Sequence, residues 1–243
     1  MRSILVMVAT IATIAFNGLS ATGYVNGVTP EVISNKYPTV LTPAGYAFTI
    51  WSVIYIGMLA FSVYQMLLNN LARFRVVRSL YIVSCLLNCA WIYFWHRDQI
   101  AICLVLIFAL LVSLIGLLIL FRSPGSDVGP LFTKTPFGIY AGWVTAAALV
   151  NFAIFLKYMG VSFSASVWNV LGVTFLTLAA GLAVVMRLKL KNYLYALAIA
   201  WAATAIAVKQ SGNTAIVVAA SLCVIVCLVM AVSFVLDQKS TTT

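Results

Sequence analysis

Apolar residues run in stretches of about twenty along the chain, near residues 3–20, 44–68, 77–95, 100–121, 136–157, 166–186, 192–209 and 213–236. About 20 apolar residues cross a bilayer as a helix, so the pattern predicts an all-α, polytopic membrane helical bundle with about eight transmembrane helices. The links are short except for 21–43 and 122–135, which are rich in Gly, Pro, Ser and Thr and read as loops. The pair 192–209 and 213–236 is the most weakly separated.

Three of the runs carry more than apolar filling. In TPAGYAFTIWSVIY, Phe48, Trp51 and Tyr55 stand at i, i+3 and i+7 and share one helix face, with Met58 continuing it. The third run places Tyr81, Ser84, Asn88, Trp91 and Trp95 in alternating three- and four-residue steps. The fifth does the same with Tyr140, Trp143, Ala147 and Asn151. Trp and Tyr are ordinarily expected at the membrane interface, yet Trp51, Trp91 and Trp143 sit deeper. Amides in hydrocarbon must find partners, so Asn88 and Asn151 should face the protein interior.

Composition sharpens the class. Of 243 residues, 64% are hydrophobic and 7% charged, with mean hydropathy +1.12; soluble domains carry roughly 25% charged residues. The net charge of +10 is spread between apolar runs and forms no patch, and no stretch outside the runs is long enough for a reading domain, which excludes nucleic acid as a partner. With eight spans, one side receives Arg2, Arg73, Arg75, Arg78, Arg122, Lys134, Arg187, Lys189, Lys191 and Lys239. The other receives Lys36, Arg97, Lys157 and Lys209. That asymmetry predicts both termini in the cytoplasm, for a chain in a bacterial plasma (inner) membrane or an organellar membrane. Arg2 followed by a short apolar run and Leu19-Ser20-Ala21 also fits a cleaved signal sequence; the length of the run favours a retained helix.

The chemistry on offer is sparse. Glu31, Asp98, Asp127 and Asp237 all fall in loops or at termini, so no span carries a carboxylate, against proton- or sodium-coupled pumping. Cys85/Cys89 and Cys223/Cys227 are i, i+4 pairs in apolar runs; burying thiolates there is costly, and cysteine is an ordinary small hydrophobe in such helices. His96, the single histidine, has the chemistry of an axial haem ligand, although lone histidines at helix ends are common interface residues. No nucleophile–base pair, phosphate loop or metalloprotease motif is present. Catalytic and metal-site residues are therefore expected to be absent, and the chain is read as not an enzyme. Two readings of the stripes compete: helix packing, with asparagines bonding across helices, or a pocket walled by flat aromatic faces that suits a planar apolar ligand. The 21–43 loop lies on the right side to lid such a pocket.

Pro43-x-Gly45-x-x-Phe48-x-x-Trp51-x-x-x-Tyr55 resembles the second-helix motif of the TspO/translocator-protein family, the tryptophan-rich sensory proteins. Leu87-Asn88-x-x-Trp91 followed by Phe94 resembles its third-helix element. Tyr140-x-x-Trp143-Val144-x-x-Ala147-x-x-x-Asn151 resembles its last-helix signature. The likeness covers roughly residues 1–157. Residues 158–243 add three helices, Ile139 replaces the proline expected before Tyr140, and only Tyr37-Pro38 and Thr42-Pro43 stand for the Trp/Pro-rich lead into helix two. Ala200-Trp201-Ala202-Ala203-Thr204-Ala205 faintly echoes Gly142-Trp143-Val144-Thr145-Ala146-Ala147.

The resemblance implies a TspO-like five-helix core over 1–157 with three additional helices over 158–243. It implies a receptor or carrier for an apolar planar ligand, a tetrapyrrole such as porphyrin or haem or a sterol-like lipid, used in sensing or transport. Porphyrin degradation has been proposed for some relatives. The implied ligand-binding residues are Phe48, Trp51, Tyr55, Asn88, Trp91, Tyr140, Trp143, Ala147 and Asn151. No cofactor is required, with bound porphyrin or haem as the candidate guest. Partners are membrane lipid, the apolar ligand, and a homodimer mate or membrane-complex partner. An accessory subunit of a larger membrane complex and a passive small-molecule permease stand as alternative functions.

Overall fold

The computed structural model describes residues 2–67, 71–122 and 129–233, with residues 71–73 and 130 described in their backbone only. The Arg73 side chain, Asp127, Asp237, Lys239 and residues 123–128 of the second long loop lie outside the described residues. Within them the helices are α1 (Arg2–Ala21), α2 (Pro30–Lys36), α3 (Ile50–Tyr64), α4 (Leu71–Trp95), α5 (Ile100–Arg122), α6 (Lys134–Tyr158), α7 (Ala165–Leu190), α8 (Leu194–Lys209) and α9 (Thr214–Val232). Apart from the short α2, each corresponds to one apolar run. Seven are long and apolar enough to cross a membrane, counting Gly45–Tyr64 as one segment. The exception is α8, whose 16 residues extend about 24 Å at 1.5 Å per residue.

The order of packing is α3 and α4 on α1, α5 on α4, α6 on α5, α8 on α6, and α9 on α8 with α7 behind it; α3 also packs on α6. The centre of the bundle is α6, with 61% of its apolar window buried against 28% for α1, α7 and α9. Two glycines allow the close approaches. A Cβ on Gly142 would collide with the Tyr195 carbonyl oxygen of α8, and one on Gly57 of α3 would lie 2.5 Å from Pro136 Cβ of α6.

Polar ties cross the apolar interior. The Thr10 hydroxyl lies 2.6 Å from Tyr81 Oη and also meets Ser62, linking α1, α3 and α4. Lower in the same seam, Asn17 donates to Asn88 Oδ1 (2.8 Å) and Asn88 donates to Tyr140 Oη (2.8 Å), joining α1, α4 and α6. Asn88 and Asn151 are both buried, as their amides require. Two arginines that read as topology markers turn out to be buried ties. Arg78 donates to Gln65 Oε1 and the Gln65 carbonyl at 2.6 and 2.7 Å, and Arg187 donates to Ser233 Oγ and its carbonyl at 2.6 and 3.0 Å.

The first loop folds over the opposite end of the bundle from the chain ends. Thr29 caps α2, accepting from Val32 N, and Glu31 in the first turn with Lys36 in the last suits the helix dipole. Asn26 donates to the His96 carbonyl (2.8 Å), and Trp95 Nε1 donates to the Pro30 carbonyl (3.1 Å). At the turn between α4 and α5, Asp98 pairs with Lys36 and accepts from Tyr37 Oη (2.9 Å). Asp98 holds the Lys36 ammonium above its ordinary pKa; burial, and then the bond to Asp98, raises the Tyr37 phenol. The Lys36 contact with Asp98 is present at neutral pH and is lost as alkaline pH passes the raised folded value of the ammonium. At its far end the loop is held by Gln210 Nε2, which donates to the carbonyls of Thr39 (3.0 Å) and Thr42 (3.2 Å), and by Ala44 N, which donates to the Ala205 carbonyl (2.9 Å).

Candidate functional site

Beneath this cover, α3, α4, α6 and α8 leave a small cavity. Phe48, Trp51, Trp91, Trp143, Ala147 and Asn151 stand in its wall, six of the nine residues expected at a ligand site. The local reasons are readable. Pro43 and Gly45 delay the α-helix, so residues Gly45–Thr49 form a 3₁₀ turn that sets Phe48 at the mouth, and Trp51 follows in the first turn of α3. Trp91 and Trp143 project from the buried faces of α4 and α6.

The aromatic walls interlock edge to face. Trp51 and Trp143 lie 6.3 Å apart at 84°, Phe48 and Trp143 6.2 Å apart at 80°. Such T-shaped pairs contribute roughly 0.5–1.5 kcal/mol beyond area burial. Trp91 stacks on Trp95 at 5.1 Å, and its Nε1 donates to Asn151 Oδ1 at 3.2 Å. Asn151 in turn donates to the Ala147 carbonyl at 2.9 Å. The indole N–H of Trp143 is buried and has no partner among the described residues.

The other three expected residues lie outside the wall. Tyr55 stacks behind Trp51 (5.6 Å, 18°), and Tyr140 packs edge-on against Trp51 (5.8 Å, 72°) while its hydroxyl accepts from Asn88. Asn88 is spent on Asn17 and Tyr140, so here helix packing accounts for the amide. Sequence reasoning missed Trp95, Ser34, Pro43, Ala146, Val150, Ala202 and Ile206. Trp95 had a signal, being four residues beyond Trp91 on the same stripe. Ala202 and Ile206 had none: they belong to α8, outside the stretch that carried the resemblance.

Size limits what the cavity holds. It measures about 40 Å³, space for a few waters at roughly 10–15 Å³ each. A cleft of about 450 Å³ opens on the other side of the same aromatic residues, between α1, α2 and α3, and is lined by Asn17, Glu31, Phe48, Trp51 and Tyr55 among others. Phe48 and Trp51 thus stand between the two spaces and line both.

Metal and haem chemistry have few donors nearby. Among the described residues no group of three His, Cys, Asp or Glu side chains comes together, and all five cysteines are free thiols. The His96 ring is buried with Nδ1 2.8 Å from the Ile92 carbonyl and Nε2 3.2 Å from the Ser20 carbonyl; it ties α4 to the end of α1. Trp201, the counterpart of Trp143 in the faint internal echo, sits elsewhere: it is partly exposed, and its Nε1 donates to the Ala47 carbonyl at 3.0 Å.

No curated protein and no solved structure matches this chain. The sequence model of one family, the TSPO-like proteins, matches residues 3–233 and so runs through α7, α8 and α9 as well as the motif-bearing helices. With an all-helical membrane bundle, aromatic stripes on α3, α4 and α6, and a match over nearly the full length, this chain belongs to the TSPO-like protein family.

Proposed function

We propose that the chain is an integral-membrane receptor or carrier that seats an apolar planar ligand between Trp51 and Trp143, serving in sensing or transport and not in catalysis. A tetrapyrrole, porphyrin or haem, leads among such ligands, with a sterol-like lipid next. The observation that carries this reading is the shared wall. Phe48 and Trp51 line both the chamber and a cleft of about 450 Å³, and a cleft of that size falls in the usual range of roughly 300–1,000 Å³ for ligand pockets. Burial of flat apolar surface at roughly 25 cal/mol per Å² would supply most of the affinity. The unpartnered Trp143 N–H offers an orienting hydrogen bond to a ligand acceptor. The excess of Arg and Lys at the end where α1 begins and α9 stops supports a cytoplasmic N-terminus and C-terminus.

Titration of the purified protein with haem or protoporphyrin, followed by the ligand's Soret band and by tryptophan quenching, tests the reading. Binding should saturate, and Trp51→Ala with Trp143→Ala should weaken it at least about tenfold, the equivalent of 1.4 kcal/mol. The pair Trp51→Phe and Trp143→Phe, which better preserves packing, should give a smaller loss in the same direction. Unchanged affinity in both double variants would refute the site.

A further inference from the structure

A second space, unrelated to the tryptophan chamber, lies where the three C-terminal helices meet the first loop. It is a groove of about 480 Å³ at the loop-covered end of the bundle, bounded by the strap Pro38–Thr42, the last turns of α6 and α8, and the first turns of α7 and α9. Its charge is one-sided. Lys157 and Lys209 line it, and no carboxylate among the described residues pairs with either: Asp98 is taken by Lys36, and Glu31 lies in the other cleft beside Gly45.

The remaining wall is arranged for acceptors. Lys157 lies over the Trp168 ring at 4.6 Å, which fixes where its charge sits. Trp168 itself is only 5% exposed, and its indole N–H has no partner among the described residues. The start of α7 is capped by Ser164, and Asn169 one turn on lines the groove, its Oδ1 accepting from Asn213 at 2.7 Å. The positive ends of the α7 and α9 dipoles border the same space. Two cations and the N-terminal ends of two helices thus border a groove with no carboxylate among its lining residues.

We infer that this groove binds an oxyanion at the membrane boundary, the phosphate of an anionic lipid headgroup or the same group free in solution, held by Lys157 and Lys209. The strap gives the site a consequence. Thr39, Val40 and Thr42 form the groove floor, whereas Leu41 and Pro43 point into the apolar spaces below it. An occupied groove therefore braces the strap that covers the chamber. This assignment does not depend on what the tryptophan chamber binds.

The test uses the full chain in phosphatidylcholine nanodiscs doped with phosphatidylglycerol, with retained lipids counted by native mass spectrometry. Wild type should retain phosphatidylglycerol over phosphatidylcholine by about tenfold, the scale of a charge-assisted contact. Lys157→Gln with Lys209→Gln should remove the preference. Lys157→Arg with Lys209→Arg, and Arg97→Gln elsewhere on the same end, should keep it. In a second arm, inorganic phosphate is titrated into pure phosphatidylcholine discs and thermal unfolding recorded. Stabilisation that the double Gln variant lacks, without any lipid preference, assigns the site to a soluble oxyanion. If neither lipid retention nor phosphate stabilisation differs between wild type and the double Gln variant, the inference is wrong.

Discussion

The helices up to α6 and the helices after it hold together by different means. Between α1, α3, α4 and α6, side chains bridge the seams: Thr10 to Tyr81, Asn17 through Asn88 to Tyr140, Trp91 to Asn151. Between α6 and α8, backbone approaches backbone over Gly142, and nine of the 16 residues of α8 are buried, six of them alanines. Lipid tails are as apolar as leucine, so hydrophobicity does not drive helices together in a membrane, and packing or hydrogen bonds must. Amide and phenol bridges keep helices at the length of two side chains and leave interstices lined by aromatic rings. Small residues close such gaps. The chamber lies on the seam between the two regimes, with tryptophans from one region and Ala202 and Ile206 from the other.

Substitutions that convert one regime into the other should therefore differ in cost. The largest loss is expected from Gly142→Leu, which drives a side chain into the Tyr195 carbonyl of α8; overpacking of this kind costs about 3 kcal/mol. Denaturant unfolding in detergent would show it, and a wild-type midpoint would mean that α6 and α8 do not depend on close approach. Asn88→Ala comes next. It strips partners from both Asn17 and Tyr140, with an expected loss of about 1–2 kcal/mol and a matching drop in Tm. A loss confined to a few tenths would show that α1 and α6 find substitutes for the bridge. Tyr195→Phe should cost least, about 0.6 kcal/mol. It removes the hydroxyl that sits 2.6 Å from Thr145 Oγ1, a rare polar tie in a seam otherwise made by small residues. If its cost exceeded that of Asn88→Ala, the contrast between the two regions would fail.

Much of the fold was legible because hydropathy over twenty residues is a strong signal. The positions where it misled have local causes. The second apolar run does begin its span at Gly45, but Pro43 and Gly45 favour a 3₁₀ first turn, and the α-helix proper starts at Ile50. Arg78 and Arg187 were counted by charge, yet each is buried and satisfied by a neighbouring carbonyl and side chain, partners that lie on other segments and are invisible to a count.

The site was legible only in part. Three- and four-residue spacing identified the face bearing Trp51, Trp91 and Trp143. That face spans a wide arc, and spacing alone could not separate the chamber wall from Tyr55, Tyr140 and Asn88 one row behind. Ser34 and Pro43 enter through the folding of the first loop, and Ala202 through an alanine-rich helix where nothing distinguishes one alanine from the next.

The cover over the chamber is fastened at two ends by unlike clasps. Near α4 the clasp mixes an ion pair, Lys36 on Asp98, with neutral bonds from Tyr37, Asn26 and Trp95; near α8 it is wholly neutral, Gln210 and Ala205 on the backbone of residues 39–44. Salt weakens attraction between exposed charges over a distance of about 10 Å at 0.1 M and leaves amide bonds nearly untouched. Rising ionic strength therefore loosens a single contact at the Asp98 edge, and the neutral bonds at both edges keep the cover in place.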